Sequence, residues 1–150
     1  MIEIIKRQDI IKRFGPPGDQ THFVRAPFPF LLEASWDKSQ KITSFYGHVY
    51  IADAVIAALE EIKNYYGIEF IKEAGLSSYG GCFSNRTARG SDQRSIHSWG
   101  LAVDYIPEYG KFGSPAITPH IVVAAFKKQG FLWGGDWSSP DGMHWSCVEE

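Results

Sequence analysis

Ser95 to Asp104 reads Ser-Ile-His-Ser-Trp-Gly-Leu-Ala-Val-Asp, and Asp141 to Trp145 reads Asp-Gly-Met-His-Trp. These two segments constrain the fold more than any other part of the chain. Asp104 follows the apolar run Leu101-Ala102-Val103, and burying a lone carboxylate in such a strand is costly unless it is paired or holds an ion. The fold must therefore supply partners, and His97 and His144 are the candidates. Two imidazoles and one carboxylate suit a borderline-soft divalent ion such as zinc. Three protein ligands leave a fourth position free, which distinguishes a reactive site from a closed structural one. Asp141, three residues before His144, is a spare carboxylate able to take a proton from water there.

The spacing carries a structural expectation. In a strand, Ala102 and Asp104 share one face, so Asp104 can reach an ion while Val103 packs into the core. His97 falls on the approach to this strand, where Gly100 lets the chain turn. His144 must come from a neighbouring strand. Asp141 sits in the turn signal Pro140-Asp141-Gly142, which lifts its carboxylate to the rim; such a turn alone would also explain an aspartate there.

Periodicity supplies the remaining elements. Residues 1–45 are turn-rich, with Phe14-Gly15-Pro16-Pro17-Gly18, Pro27 and Pro29, and are expected to wrap the domain as loops and short strands. Ala52, Val55, Ile56, Leu59 and Ile62 keep helical spacing from His48 to about Tyr66, with Gly67 as the stop. Ile68 to Ile71 reads as a short strand. Thr118-Pro119 opens a second helix as N-cap and first-turn proline, and Gly130 ends it. Trp99–Ile106, Phe131–Trp133 and Met143–Val148 read as strands from their β-branched and aromatic content. The expected fold is a single α+β domain over residues 1–150, with an antiparallel sheet carrying the metal site and packed against helices.

Composition narrows the function classes. The 150 residues are 44% hydrophobic and 21% charged, the balance of a folded domain rather than a disordered chain. A net charge of −2 without a Lys/Arg run gives no footprint for nucleic acid. No apolar stretch approaches the roughly 18 residues of a membrane span. Met1 to Arg7 lacks a signal-peptide pattern, so the chain is expected to be made in the cytoplasm. Cys82 and Cys147 make no disulfide framework. Two buried thiols is the simplest expectation, and a disulfide between them stays open. Cys147 as a ligand beside His144 is disfavoured, because strand residues three apart face opposite ways.

The residues around the proposed ligands resemble the zinc-dependent peptidoglycan peptidases, a family that includes D-alanyl-D-alanine carboxypeptidases, L-alanyl-D-glutamate endopeptidases and phage endolysins. The family pattern is Ser-x-His-x-x-Gly-x-Ala-x-Asp, then an acidic residue three positions before a final His. Ser95, His97, Gly100, Ala102, Asp104, Asp141 and His144 fill it, and the similarity runs from about His48 to Trp145. The resemblance implies Zn2+ on His97, Asp104 and His144, with Asp141 as the general base. It also implies an arginine upstream of the first ligand that steadies the attacked carbonyl. Arg86 fits best, ahead of Arg89 and Arg94. Ser95 is expected to order the loop, because no base accompanies it. Asp136 belongs to Gly-Gly-Asp-Trp and is expected to be structural or substrate-lining. His22, His48 and His120 receive no role. Trp99, Trp133, Trp137 and Trp145 are expected to be mostly core, with one or two lining the cleft.

The activity so implied is hydrolysis of an amide bond in a peptidoglycan stem peptide, L-alanyl-D-glutamate endopeptidase-like. D-alanyl-D-alanine carboxypeptidase is the alternative, and a non-catalytic zinc-bearing binding domain is a third reading. The partner is the stem peptide, reached after release by lysis or a holin, and the protein is expected to act as a monomer.

Overall fold

Pro27 and Pro29 do not keep the N-terminal region in loops. Phe23–Ala34 (β1) and Asp37–His48 (β2) form a hairpin of two 12-residue antiparallel strands. The expectation of a loop-rich wrap over residues 1–45 is corrected here, and the prolines explain the misreading. The β1–β2 ladder is regular from Phe23 to Pro27, breaks, and resumes at Leu32. Pro29 therefore falls where no ladder hydrogen bond is required of it. Phe28, Phe30, Leu32 and Ala34 alternate into the core with the two-residue period of a strand. The computed structural model describes all 150 residues, Met1–Glu150.

The remaining elements are a short helix at Ile10–Phe14 (α1), then Val49–Tyr66 (α2), Ile68–Ile71 (α3), Ser78–Gly81 (β3), Ala102–Tyr105 (β4), His120–Lys128 (α4), Leu132–Trp133 (β5) and His144–Ser146 (β6). The sheet has six strands in the order β2-β1-β3-β4-β6-β5. It is mixed rather than wholly antiparallel, because β1 and β3 run parallel. The α+β class stands, in one domain.

The helix expected from His48 begins one residue later. His48 is its N-cap, with Nδ1 accepting from the Tyr50 N–H at 3.0 Å, so this histidine has a structural role that spacing alone did not suggest. Ile51, Val55, Ala58, Leu59 and Ile62 form the buried face of α2, and Gly67 closes it at φ 82°. Ile68–Ile71 is a helical turn, not a strand. Ile68 and Phe70 lie exposed and only Ile71 is buried, so the apolar run does not mark a sheet position. At α4 the N-cap is Pro119 rather than Thr118. The Thr118 hydroxyl instead faces the Gly142 carbonyl at 3.5 Å.

On the site side of the sheet the strands are two to four residues long, shorter than their apolar runs. Ile96–Trp99 forms a 3-10 turn, and Gly100 at φ 65° swings the chain into β4. Ile106, at φ 46° and fully buried, ends the strand. Alternation then divides labour within each strand. Val103 and Trp145 go to the core, while their chain neighbours Asp104 and His144 face the site. The Trp145 ring stacks on Phe126 at 4.7 Å and on Trp133 at 5.5 Å, which ties β6 to α4 and β5.

Gly100 is fixed on two grounds. A Cβ there would stand 2.5 Å from the Phe23 ring and 3.0 Å from the His48 backbone nitrogen, in a left-handed backbone conformation. Gly100→Ala should therefore cost about 1–3 kcal/mol, read as a lower urea midpoint with an unchanged slope.

Candidate metal centre

Each histidine is held by its outer nitrogen, and that decides what its inner nitrogen presents. Ser95 Oγ accepts from the His97 N–H at 3.2 Å and caps the 3-10 turn, which sets the backbone of His97. His97 Nδ1 lies 2.7 Å from the Cys82 carbonyl oxygen on the far side of the ring. A carbonyl only accepts, so Nδ1 carries a proton and Nε2 is the nitrogen presented inward. That Nε2 faces Asp104 Oδ2 at 3.3 Å. Asp104 and His144 are direct cross-strand partners on β4 and β6. His144 Nε2 lies 2.7 Å from Glu150 Oε2, and its Nδ1 faces Asp104 Oδ1 at 3.4 Å.

Two ring nitrogens thus converge on one carboxylate, and each ring has its own proton committed on the opposite side. Asp104 Oδ1 is buried without a hydrogen-bond partner. Lone pairs facing one another in a buried place need a positive charge between them. Without an ion, a proton must serve. Burial works against charge on His144, but Asp104 and Glu150 outweigh it and hold the imidazole up at about 10. Burial likewise opposes charge on Asp104, yet His97 and His144 keep its carboxyl well below the usual carboxylate range.

The dimensions fit an ion. Two ligand atoms each about 2.1 Å from one zinc, at a tetrahedral angle, stand roughly 3.4 Å apart. The two nitrogen-to-carboxylate separations are 3.3 and 3.4 Å, and the ligand atoms of His97, Asp104 and His144 all lie within 4.8 Å of one another. These three side chains could hold a metal, and the chain contains no other such cluster.

They open into a cavity of about 130 Å³ whose wall includes Arg86, Arg89, Phe112, Trp137, Asp141 and Glu150. Asp141 is half-buried, and its Oδ1 has no hydrogen-bond partner. Burial, and then the negative charge of Asp104, push its carboxyl above the ordinary range. Its turn is held tightly. Gly142 would place a Cβ 2.6 Å from that of Ala116 and 2.9 Å from the Gly110 Cα, so the 110–116 loop packs directly on the backbone beside Asp141. A larger cavity near β3, about 510 Å³, is lined by Glu33, Lys38, Lys72 and Glu108. Its charges are already paired, Lys38 with Glu108 at 2.7 Å and Lys72 with Glu33 at 3.2 Å, and it offers no ligand set.

Arg86 and Arg89 both reach the rim of the smaller cavity, and Arg94 does not line it. The Arg86 guanidinium donates to the Thr87 carbonyl at 3.2 Å, whereas that of Arg89 lies over the Phe112 ring at 5.0 Å. Asp136 pairs with Lys127 at 2.8 Å on the surface, away from the cavity wall. Of the four tryptophans considered, Trp137 alone lines the cavity, with its ring 5.2 Å from that of His144. Cys82 and Cys147 are unpaired and buried, and neither thiol joins the ligand cluster. Burial pushes the Cys147 thiol up to about 12, and that of Cys82 upward as well, so neither is disposed to form a thiolate. Glu150 was not legible in advance. It lies six residues beyond His144, beside Glu149, where two acidic residues read as a solvated segment.

The His-His-Asp cluster, which could hold a metal, has one side open to a small cavity and the Asp141 carboxylate beside it. Residues 89–147 match a family model described as D-alanyl-D-alanine carboxypeptidase. The segment bearing the candidate metal centre is thus similar to that family. The match is narrower than the span from His48 to Trp145 expected from the motifs, and Arg86 and Glu150 fall outside it. No curated protein and no solved structure matches the chain. No helix is long and apolar enough to cross a membrane.

Because the His144 imidazole carries a proton when no ion is present, zinc binding at neutral pH should release protons to the buffer. Calorimetric titration in two buffers of different ionisation enthalpy checks this. Identical apparent heats would mean that His144 is already neutral.

Proposed function

We propose that this chain is a zinc-dependent peptidase that cleaves an amide bond in a peptidoglycan stem peptide, in the manner of an L-alanyl-D-glutamate endopeptidase. The observation that carries the reading is the arrangement of His97, Asp104 and His144, with inner lone pairs converging beside the free carboxylate of Asp141. His97 Nε2, Asp104 and His144 Nδ1 would hold the ion. When bound, zinc supplies a Lewis acid for the scissile carbonyl and lowers the pKa of water to about 7.

Asp141 accepts the proton of the attacking water at its free Oδ1 and returns it to the leaving amine. Its raised pKa brings it closer to neutral pH, where a base both stays ionised and binds a proton well. Arg86 at the rim steadies the negative charge that develops on the carbonyl oxygen, and Arg89 is the substitute on the same wall. A binding domain without catalysis would have no use for an unpartnered, half-buried carboxylate at this place. The chain acts as a monomer on the wall after release from the cytoplasm, by lysis or a holin.

The description of the matching family favours a second reading, removal of a terminal D-alanine. Mass spectrometry of purified muropeptides after incubation separates the two. Release of the peptide beyond the first alanine supports the endopeptidase, loss of one alanine supports the carboxypeptidase, and an unchanged spectrum from zinc-replete protein sinks both. Asp141→Asn should keep its zinc and lose about 10²- to 10⁴-fold in turnover, the usual worth of acid–base help. Near-normal hydrolysis by a zinc-replete Asp141→Asn variant would move the base elsewhere.

A further inference from the structure

We infer that Glu150 is a positioning residue for the metal centre: by accepting the His144 Nε2–H, it turns the Nδ1 lone pair of that ring inward. The inference rests on His144 being a ligand. It assigns a task to a side chain outside the family match, which ends at residue 147.

The two histidines are anchored differently. His97 is held by a main-chain carbonyl, that of Cys82 at 2.7 Å, which no substitution of the Cys82 side chain would remove. His144 is held at the same distance by a side-chain carboxylate, Glu150 Oε2. Both members of this pair are largely withdrawn from solvent, at 6% and 19% side-chain exposure, so the contact is not an incidental surface pair. A carboxylate has no proton to donate when ionised, so its presence at Nε2 fixes which nitrogen carries the hydrogen. It also makes the ring a stronger donor to an ion at Nδ1. The Trp137 ring, 5.2 Å from that of His144, and the His97 ring, 5.1 Å away, leave the imidazole little room to turn.

The chain places Glu150 deliberately. Ile5 bridges Val148, with the Ile5 N–H donating to Cys147 O at 2.8 Å and the Glu149 N–H donating to Ile5 O at 2.9 Å. The Ser146 hydroxyl donates to Val148 O and accepts from the Val148 N–H. These bonds turn the segment after β6 back toward the cavity, where Glu150 forms part of the wall.

The test compares the full-length wild-type chain with Glu150→Ala and Glu150→Gln. Zinc affinity is measured by competition with a chromophoric chelator, and the His144 Nε2–H resonance is followed by NMR in the zinc-loaded protein. Glu150→Ala should bind zinc about 10- to 100-fold more weakly, the usual effect of removing such a partner. Glu150→Gln keeps an acceptor oxygen, so its affinity should lie between the two. The Nε2–H signal should sit far downfield in the wild type, less so with Gln, and move upfield with Ala. A mere loss of fold stability would not produce that series. Wild-type affinity in Glu150→Ala, or a Gln variant as weak as Ala, overturns the inference. A chain that follows the expected affinity series but leaves muropeptides intact supports the role of Glu150 and removes the peptidase reading instead.

Discussion

Everything around the site follows from three electron-rich groups brought face to face. A carboxylate between two imidazole lone pairs is a repulsive arrangement until a positive charge enters it. The scaffold makes that arrangement rigid. Asp104 and His144 are cross-strand partners, and His97 is set by a 3-10 turn capped by Ser95. The core beneath is aromatic and fully closed, with Trp145, Tyr105 and Phe126 among its largest buried side chains. Apolar packing therefore fixes the three groups in place, and a positive charge between them, the proton on His144 or an ion, makes the arrangement favourable.

The second aspartate completes the contrast. Asp104 has its charge held by two histidines, whereas Asp141 is half-buried with one oxygen unpartnered and a like charge nearby. The two aspartates of one small cavity are thus driven apart in proton affinity by their surroundings, a condition that suits one to ligation and the other to base chemistry. The close contact of Gly142 with Gly110 and Ala116 matters for the same reason. It packs the turn that bears Asp141 against the 110–116 loop.

The motif residues were legible because together they fill a family pattern, and an aspartate on an apolar strand adds a physical reason for a ligand there. A neighbouring strand for His144, an ordering role for Ser95 and a turn at Gly100 were expected, and the structure supplies them as the β4–β6 pairing, a 3-10 cap and a left-handed Gly100. The hairpin of β1 and β2 was hidden by Pro27 and Pro29, because nothing in the sequence tells that the ladder pauses between Pro27 and Leu32. Ile68–Ile71 misled in the opposite direction: apolar content suggested a strand, and only its place after the Gly67 stop makes it a surface turn. Arg86 and Arg89 were separable by motif alone, and the fold brings both to the same wall. Glu150 was invisible because the contact depends on the bridge from Ile5 to Val148, a pairing across almost the whole chain.

That bridge joins the two ends of the chain beneath the centre. Ile5 and Val148 are both buried in the core, and the main-chain bonds of Ile5 to Cys147 and Glu149 hold the segment after β6 in place. The carboxylate beside His144 is therefore set by packing at the opposite end of the chain, and the support of the site is distributed over almost its whole length.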